Sequence, residues 1–333
     1  MAWTAGQTLQ GGKYKIDSEL GRGRFGITYL ARDKGGKYLV IKTLDEDLLN
    51  KLTLEERNSL ESNFSGEALK LERCKHPHVV RVQETFKEGQ LFCIAMQYIT
   101  GDTLACLARR VLPEKEALGY IQQIGEALIE VHGKDLLHRD VKPANIMLQP
   151  GKYEAVLIDF ALAAEFEHPL TSRWRPEPFA PIELNSSTRP RGAYTDVYSL
   201  AATLYFLLTG QLPASALDCK DGNAHLIPPK EINPRISEQV NNAIMQGMRL
   251  EPEARPQTMQ EWLDLLGLTI NTPDAAPNTT KKVWKWEAVT FWIALGGLGT
   301  LLAVIMALIA YLNPPSDPSP EPTQTGAAFS YLD

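Results

Sequence analysis

The chain has 333 residues, a net charge of −6, 44% apolar residues and 22% charged residues. These fractions suit a globular protein with a sizeable core, of one large or two medium domains, and the acidic balance excludes a general nucleic-acid binder. The four cysteines, Cys74, Cys93, Cys106 and Cys219, follow neither a metal-ligand nor a paired spacing, which points to reduced thiols in a reducing compartment. Residues 1–13 lack a basic patch followed by an apolar run, so no signal peptide is expected.

From residue 14 to about 100 the pattern predicts short strands and one helix. "YKIDSEL", "ITYLA" and "YLVIKTL" have strand composition with Gly-rich or charged turns between them, and "VVRVQETF" and "LFCIAMQYI" continue the series. Residues 54–73 suit a helix. Beyond residue 100 helices dominate. "EKEALGYIQQIGEALIEVH" places Leu118, Ile121, Ile124 and Leu128 on one stripe. "TDVYSLAATLYFLLTG" is nearly apolar throughout and reads as a central buried helix ending at Gly210. Residues 268–287 form a polar, basic linker. Ala288 to Leu312 contains no charged residue, and its 25 residues would span roughly 37 Å as a helix, enough to cross a bilayer. The Pro-rich tail, 313–333, follows.

Three motifs carry chemistry. Gly21, Gly23 and Gly26 have G-x-G-x-x-G spacing but lead into a strand, which argues against a dinucleotide-binding unit. A Gly-rich hairpin can instead bring backbone N–H groups close to phosphates. Lys42 ends an apolar strand and can aim an ammonium at phosphate oxygens, with Glu67 as its natural partner. In "LLHRDVKPANIML", Asp140 can accept a proton from an incoming hydroxyl and Lys142 can neutralise a transferring phosphoryl. Asn145 can bind a metal through its amide oxygen, and Asp159 of "LIDFALA" can supply the ionised oxygen that Mg²⁺ requires. Phosphoryl transfer needs mainly positioning and charge neutralisation, which this set provides.

Together these motifs resemble the eukaryotic-type (Hanks-type) serine/threonine protein kinases in their bacterial membrane-anchored form. The resemblance implies an α+β, bilobal fold: a small antiparallel-sheet lobe with one helix (14–96), a hinge (97–100) and a mostly helical lobe (101–267). It implies ATP and Mg²⁺ as cofactors and a protein acceptor with Ser or Thr hydroxyls. Asp140 and Lys142 are then the catalytic residues, and Asn145 and Asp159 the metal ligands. The nucleotide site comprises Leu20, Gly21, Gly23, Gly26, Thr28, Val40, Lys42, Glu67, Met96, Gln97, Ile99 and Met147. Structural matches are also implied: a Glu183–Arg255 pair, a buried Asp196 anchoring the catalytic loop, and a packed column of Leu71, Val82, His138 and Phe160.

The sequence departs from the family at several points. Ala161 stands where glycine follows Asp-Phe, and would hinder any conformation needing φ > 0. "APIE" carries one inserted residue, and Arg175 and Pro176 replace an expected threonine. Thr171 or Ser172 could carry a phosphate paired with Arg139. Since Lys42, Glu67, Asp140, Asn145 and Asp159 all survive, an active enzyme is the main reading. A membrane-anchored pseudokinase scaffold, binding nucleotide or partners without catalysis, is the alternative.

Lys281, Lys282 and Lys285 precede the apolar stretch, while Asp317, Glu321 and Asp333 follow it. This bias places the catalytic domain in the cytoplasm and the short tail outside the cell membrane, with a single pass through the lipid bilayer. A small-residue face of Gly296, Gly297, Gly299 and Thr300 suits helix–helix association, and hence a homodimer.

Overall fold

The computed structural model describes residues 2–268 apart from 108–110, 165, 167–176 and 187. The expected membrane span (288–312), the linker beyond residue 268 and the tail lie outside the described residues, as do Thr171, Ser172, Arg175 and Pro176. Among the described residues no helix is long and apolar enough to cross a membrane.

The first half builds one antiparallel sheet from β1 (Thr8–Leu9), β2 (Tyr14–Arg22), β3 (Gly26–Asp33), β4 (Tyr38–Leu44), β5 (Val82–Glu88) and β6 (Leu91–Gln97). Its spatial order is β1-β2-β3-β4-β6-β5. Side chains alternate between faces along a strand. Ile27, Tyr29 and Ala31 of β3 and Leu39 and Ile41 of β4 therefore go into the core. Thr28, Val40 and Lys42 take the opposite face. Register completes that face: Thr28 lies across from Lys42, and Val40 across from Met96. β1 was not legible in the sequence. A two-residue strand has no periodicity to read, yet it pairs with β2, and the Trp3 N–H donates to the Tyr29 hydroxyl at 3.1 Å. Ala2, Trp3 and Leu9 are thus packed onto the sheet.

Between β4 and β5 come α1 (Glu46–Leu49) and α2 (Leu54–Arg73). A Thr53–Glu56 capping box starts α2, with Glu55 and Glu56 in its first turn and Lys70 and Arg73 in its last. These charges suit the helix dipole. Its buried stripe is Leu60, Phe64, Ala68 and Leu71. The strand expected from Val79 starts only at Val82. Val79 forms a parallel bridge to Leu157 instead, and the Val80 N–H donates to the Leu157 carbonyl at 2.9 Å.

The second half is mainly helical: α3 (Leu104–Leu107), α4 (Glu114–His132), α5 (Ala193–Thr209), α6 (Ala216–Lys220), α7 (Pro229–Ile232), α8 (Glu238–Gly247) and α9 (Met259–Leu265). A two-stranded ribbon, β7 (Ile146–Leu148) and β8 (Ala155–Leu157), lies between α4 and α5. On α4, Ile121, Ile124 and Leu128 are fully buried as expected. Leu118 is only half-buried, because Ala117 and Tyr120 take the inward positions. α5 is the buried central helix, closed by Gly210 at φ 68°. Close packing fixes Gly247: a Cβ there would lie 2.7 Å from Trp262 Nε1 and 2.8 Å from the Ala201 Cβ.

The expected Glu183–Arg255 pair is present and fully buried, at 2.6 and 3.1 Å, and Arg255 also donates to the carbonyls of Arg249 and Leu250. Two donors on two carboxylate oxygens suit the planar guanidinium fork. The pair ties the 3₁₀ turn Ile182–Asn185 to the turn before α9.

Candidate active site

A cleft of about 920 Å³ lies between the sheet and the helical half. Every site residue expected from sequence lines it except Glu67. Thr28, Val40, Lys42 and Met96 come from the sheet face set by register. Leu20, Gly21 and Gly23 come from the β2–β3 hairpin.

The loop that carries His138, Arg139 and Asp140 is held by Asp196 on α5. Its Oδ1 accepts from the Arg139 N–H at 2.8 Å, and its Oδ2 from the His138 N–H at 2.9 Å and the His132 ring at 2.8 Å. Burial pushes the Asp196 carboxyl up, but the His132 hydrogen bond and the neighbouring charges outweigh it and hold it below the usual carboxylate range. His138 is fully buried. Its Nδ1 accepts from the Asp140 N–H at 3.2 Å and its Nε2 donates to the Ile158 carbonyl at 2.8 Å, which fixes the neutral tautomer. Burial lowers its pKa accordingly. Its ring centroid is 4.4 Å from that of Phe160, and Leu71 and Val82 are buried, as the expected packed column requires.

The ribbon β7–β8 explains why Asn145 and Asp159 meet. Asn145 ends the 3₁₀ turn before β7, and Asp159 follows β8 by two residues. The Ile158 N–H donates to the Asn145 carbonyl at 2.9 Å, joining the two ends. Asn145 Nδ2 donates to Asp140 at 2.7 Å (Oδ2) and 2.8 Å (carbonyl). Lys142 Nζ lies 2.8 Å from Asp140 Oδ1. Burial lowers the Lys142 pKa, but Asp140, with Glu177 and Asp159, outweighs it and raises it overall, so the ammonium stays charged. Both oxygens of Asp140 are thereby oriented.

Lys42 departs from expectation. Its Nζ is 2.6 Å from Asp159 Oδ1 and donates to the Phe160 carbonyl at 2.8 Å. The expected Lys42–Glu67 pair is not formed. Glu67 Oε1 accepts from Arg139 Nη1 at 2.6 Å, and Oε2 accepts from the Ala163 N–H. Two cations compete for one carboxylate, and the seating of α2 decides between them. Spacing along the chain does not encode that choice. The sequence offers Arg139 only as the partner of an activation-segment phosphate. Its role toward Glu67 is the contact that sequence reasoning missed. Burial raises the Asp159 pKa, but the Lys42 ammonium overrides it and lowers it overall, so the carboxylate is ionised.

Ala161 does not take a positive φ. Its N–H donates to the His138 carbonyl at 3.2 Å. Around it, the left-handed non-glycine positions are Arg139 (64°), Asp159 (56°) and Ala163 (62°). No glycine is therefore needed at 161 in this conformation.

The donor set fits a hard cation and a nucleotide. Asp159 offers an ionised carboxylate, and Asn145 spends its amide nitrogen on Asp140, leaving its oxygen as an acceptor, the ligand type that Mg²⁺ takes. Of the hairpin glycines, packing demands only Gly26, where a Cβ would sit 2.3 Å from the Thr43 carbonyl oxygen. A Cβ at Gly21 would meet nothing within 4 Å, and one at Gly23 would approach nothing nearer than 3.8 Å. Their bare backbones are left free to approach an anion in the cleft.

Residues 14–264 match the protein kinase domain. The chain belongs to the protein kinase family. Human serine/threonine-protein kinase Nek5 is 30% identical over 258 residues, covering 73% of this chain and 35% of Nek5. PrkC of Bacillus subtilis is 28% identical, covering 75% of this chain and 39% of PrkC. The chain thus spans little more than a third of either relative. Among solved structures, the apo form of PpkA-294 superimposes with a TM-score of 0.63 at 25% identity, covering 80% of this chain and 99% of that one. The Mycobacterium tuberculosis PknI kinase domain shares the kinase fold, with a TM-score of 0.61 at 24% identity over 80% of this chain and 99% of PknI.

Proposed function

We propose that this kinase transfers the γ-phosphate of ATP to Ser or Thr hydroxyls of proteins, with its catalytic domain held at the cytoplasmic face of a membrane by residues 288–312. The observation that carries the transfer reading is the convergence of Lys42, Asp140, Lys142, Asn145 and Asp159 in one cleft beneath the glycine hairpin. Similarity to relatives named as serine/threonine kinases supports the acceptor class.

ATP with Mg²⁺ supplies the transferable phosphoryl group and the charge that balances it. The chain's residues do the rest. Asn145 and Asp159 would hold the metal, and Lys42 would contact the phosphates once Asp159 turns to the cation. Leu20, Val40 and Met147 would enclose the base, with Met96, Gln97 and Ile99 along the hinge. Asp140, oriented by Asn145 and Lys142, would accept the proton of the attacking hydroxyl. Lys142 would neutralise charge on the phosphoryl as it moves. The Lys42–Asp159 pair also suits a non-catalytic scaffold, but every charged group of the reaction is present in the cleft.

The full chain, expressed with membranes and given labelled ATP and a generic protein acceptor, tests both parts. Phosphoserine and phosphothreonine should form, in the membrane pellet. Removal of 288–312 should move that activity to the supernatant. Nucleotide binding without transfer would favour the scaffold, and activity that stays soluble in the full chain would refute the tether.

A further inference from the structure

We propose that the Thr28 hydroxyl donates to a phosphate oxygen of the bound nucleotide, and so helps the cleft select a nucleoside triphosphate over the bare nucleoside. This rests on the phosphotransfer reading above.

Register places Thr28 between two residues that face the phosphates. Its partner on β2 is Gly21, and its partner on β4 is Lys42. All three line the cleft. Val40 and Met96, themselves cross-strand partners, form the next row of the same face. Side chains on one face of a strand recur every second residue, roughly 7 Å apart. Lys42 and Val40 therefore mark separate ends of the cleft roof. Val40 packs on the base and Lys42 serves the phosphates, which puts Thr28 at the phosphate end. Gly21 leaves that position uncovered, since a Cβ there would meet nothing within 4 Å.

Packing alone does not call for a hydroxyl here. Thr28 is half-buried, and its neighbours in the next row, Val40 and Met96, are apolar. Valine has the same branched shape and suits a strand equally well. Other threonines of the fold spend their hydroxyls on carbonyls: Thr43 on Phe92 at 3.0 Å, Thr203 on Ser199 at 2.9 Å and Thr209 on Tyr205 at 2.8 Å. Among the described residues the Thr28 hydroxyl has no such partner. Its hydrogen can rotate toward whichever acceptor enters the cleft. Lys42 must leave Asp159 before it meets a phosphate, whereas Thr28 gives up no protein contact. A hydrogen bond to a charged oxygen is stronger than one between neutral groups, so the hydroxyl favours the phosphates over the sugar.

The test compares Thr28→Val, which keeps the branched shape without the hydroxyl, with Thr28→Ser, which keeps the hydroxyl without the methyl. Both are made in the full chain, and the affinities of a non-hydrolysable ATP analogue with Mg²⁺ and of adenosine are measured for each. Thr28→Val should bind the analogue roughly 10-fold more weakly, the size of one hydrogen bond to a charged group, while its adenosine affinity stays at the wild-type value. Thr28→Ser should bind the analogue nearly as the wild type does. Undiminished analogue binding by Thr28→Val would overturn the assignment. So would an equal loss of analogue and adenosine, or a loss in Thr28→Ser as large as in Thr28→Val, since either would mean that Thr28 acts by packing. A wild-type chain that binds no analogue would overturn the nucleotide reading itself, and the Thr28 contact with it.

Discussion

Asp140→Asn should lower the rate of phosphoryl transfer by about 10²–10⁴-fold, the usual contribution of a general base, while nucleotide affinity and melting temperature stay close to wild type. The substitution keeps the shape and one oxygen but removes the proton acceptor. Two contacts fix Asp140 from opposite sides, Lys142 on Oδ1 at 2.8 Å and Asn145 on Oδ2 at 2.7 Å. The loop that carries it is anchored through the backbone N–H groups of His138 and Arg139 on Asp196. Because that anchoring uses the backbone, the variant loop should not move. Single-turnover transfer from labelled ATP, with nucleotide binding measured separately, distinguishes lost chemistry from lost binding. Wild-type rates in Asp140→Asn would remove the proton-acceptor role.

Arg255→Ala should be the most damaging change outside the cleft. Arg255 and Glu183 are both 0% exposed at the side chain and share two contacts. Removing the guanidinium strands the Glu183 carboxylate without its partner, a loss of about 3–5 kcal/mol. At about 2–4 °C per kcal/mol for a domain of this size, melting should fall by roughly 10 °C. The exposed Arg189–Glu251 pair, 3.0 Å apart with side chains 32% and 60% exposed, is the internal comparison. Arg189→Ala should cost less than about 1 kcal/mol. Equal shifts for the two variants in calorimetry would mean that burial does not govern these pairs. The Arg255 variant should also lose transfer activity, since the pair ties the Ile182–Asn185 turn, next in sequence to the activation segment, to the helical half.

These expectations draw on features that the sequence shows unevenly. The bounds of α2 and α4, the strand carrying Lys42 and the end of α5 at Gly210 follow from local rules: capping, periodicity and a left-handed glycine. The convergence of Asp140, Asn145 and Asp159 was legible through the motifs and the family resemblance, whereas the ribbon that brings them together was not. The partners of Lys42 and Glu67 were not, because they depend on how α2 rests against the helical half. β1 was too short to leave a pattern. The half-buried Leu118 shows a helix stripe rotated slightly from the one that its strongest apolar residues suggest.

The most direct measurement is the Mg²⁺ dependence of ATP-analogue affinity in the wild-type chain and in Asp159→Asn. Wild-type affinity should rise steeply as Mg²⁺ is added and fall when it is chelated, and the variant should lose most of that response. Equal affinity with and without Mg²⁺, or a response unchanged by the substitution, would contradict the assignment of Asp159 and Asn145 as a metal-holding pair.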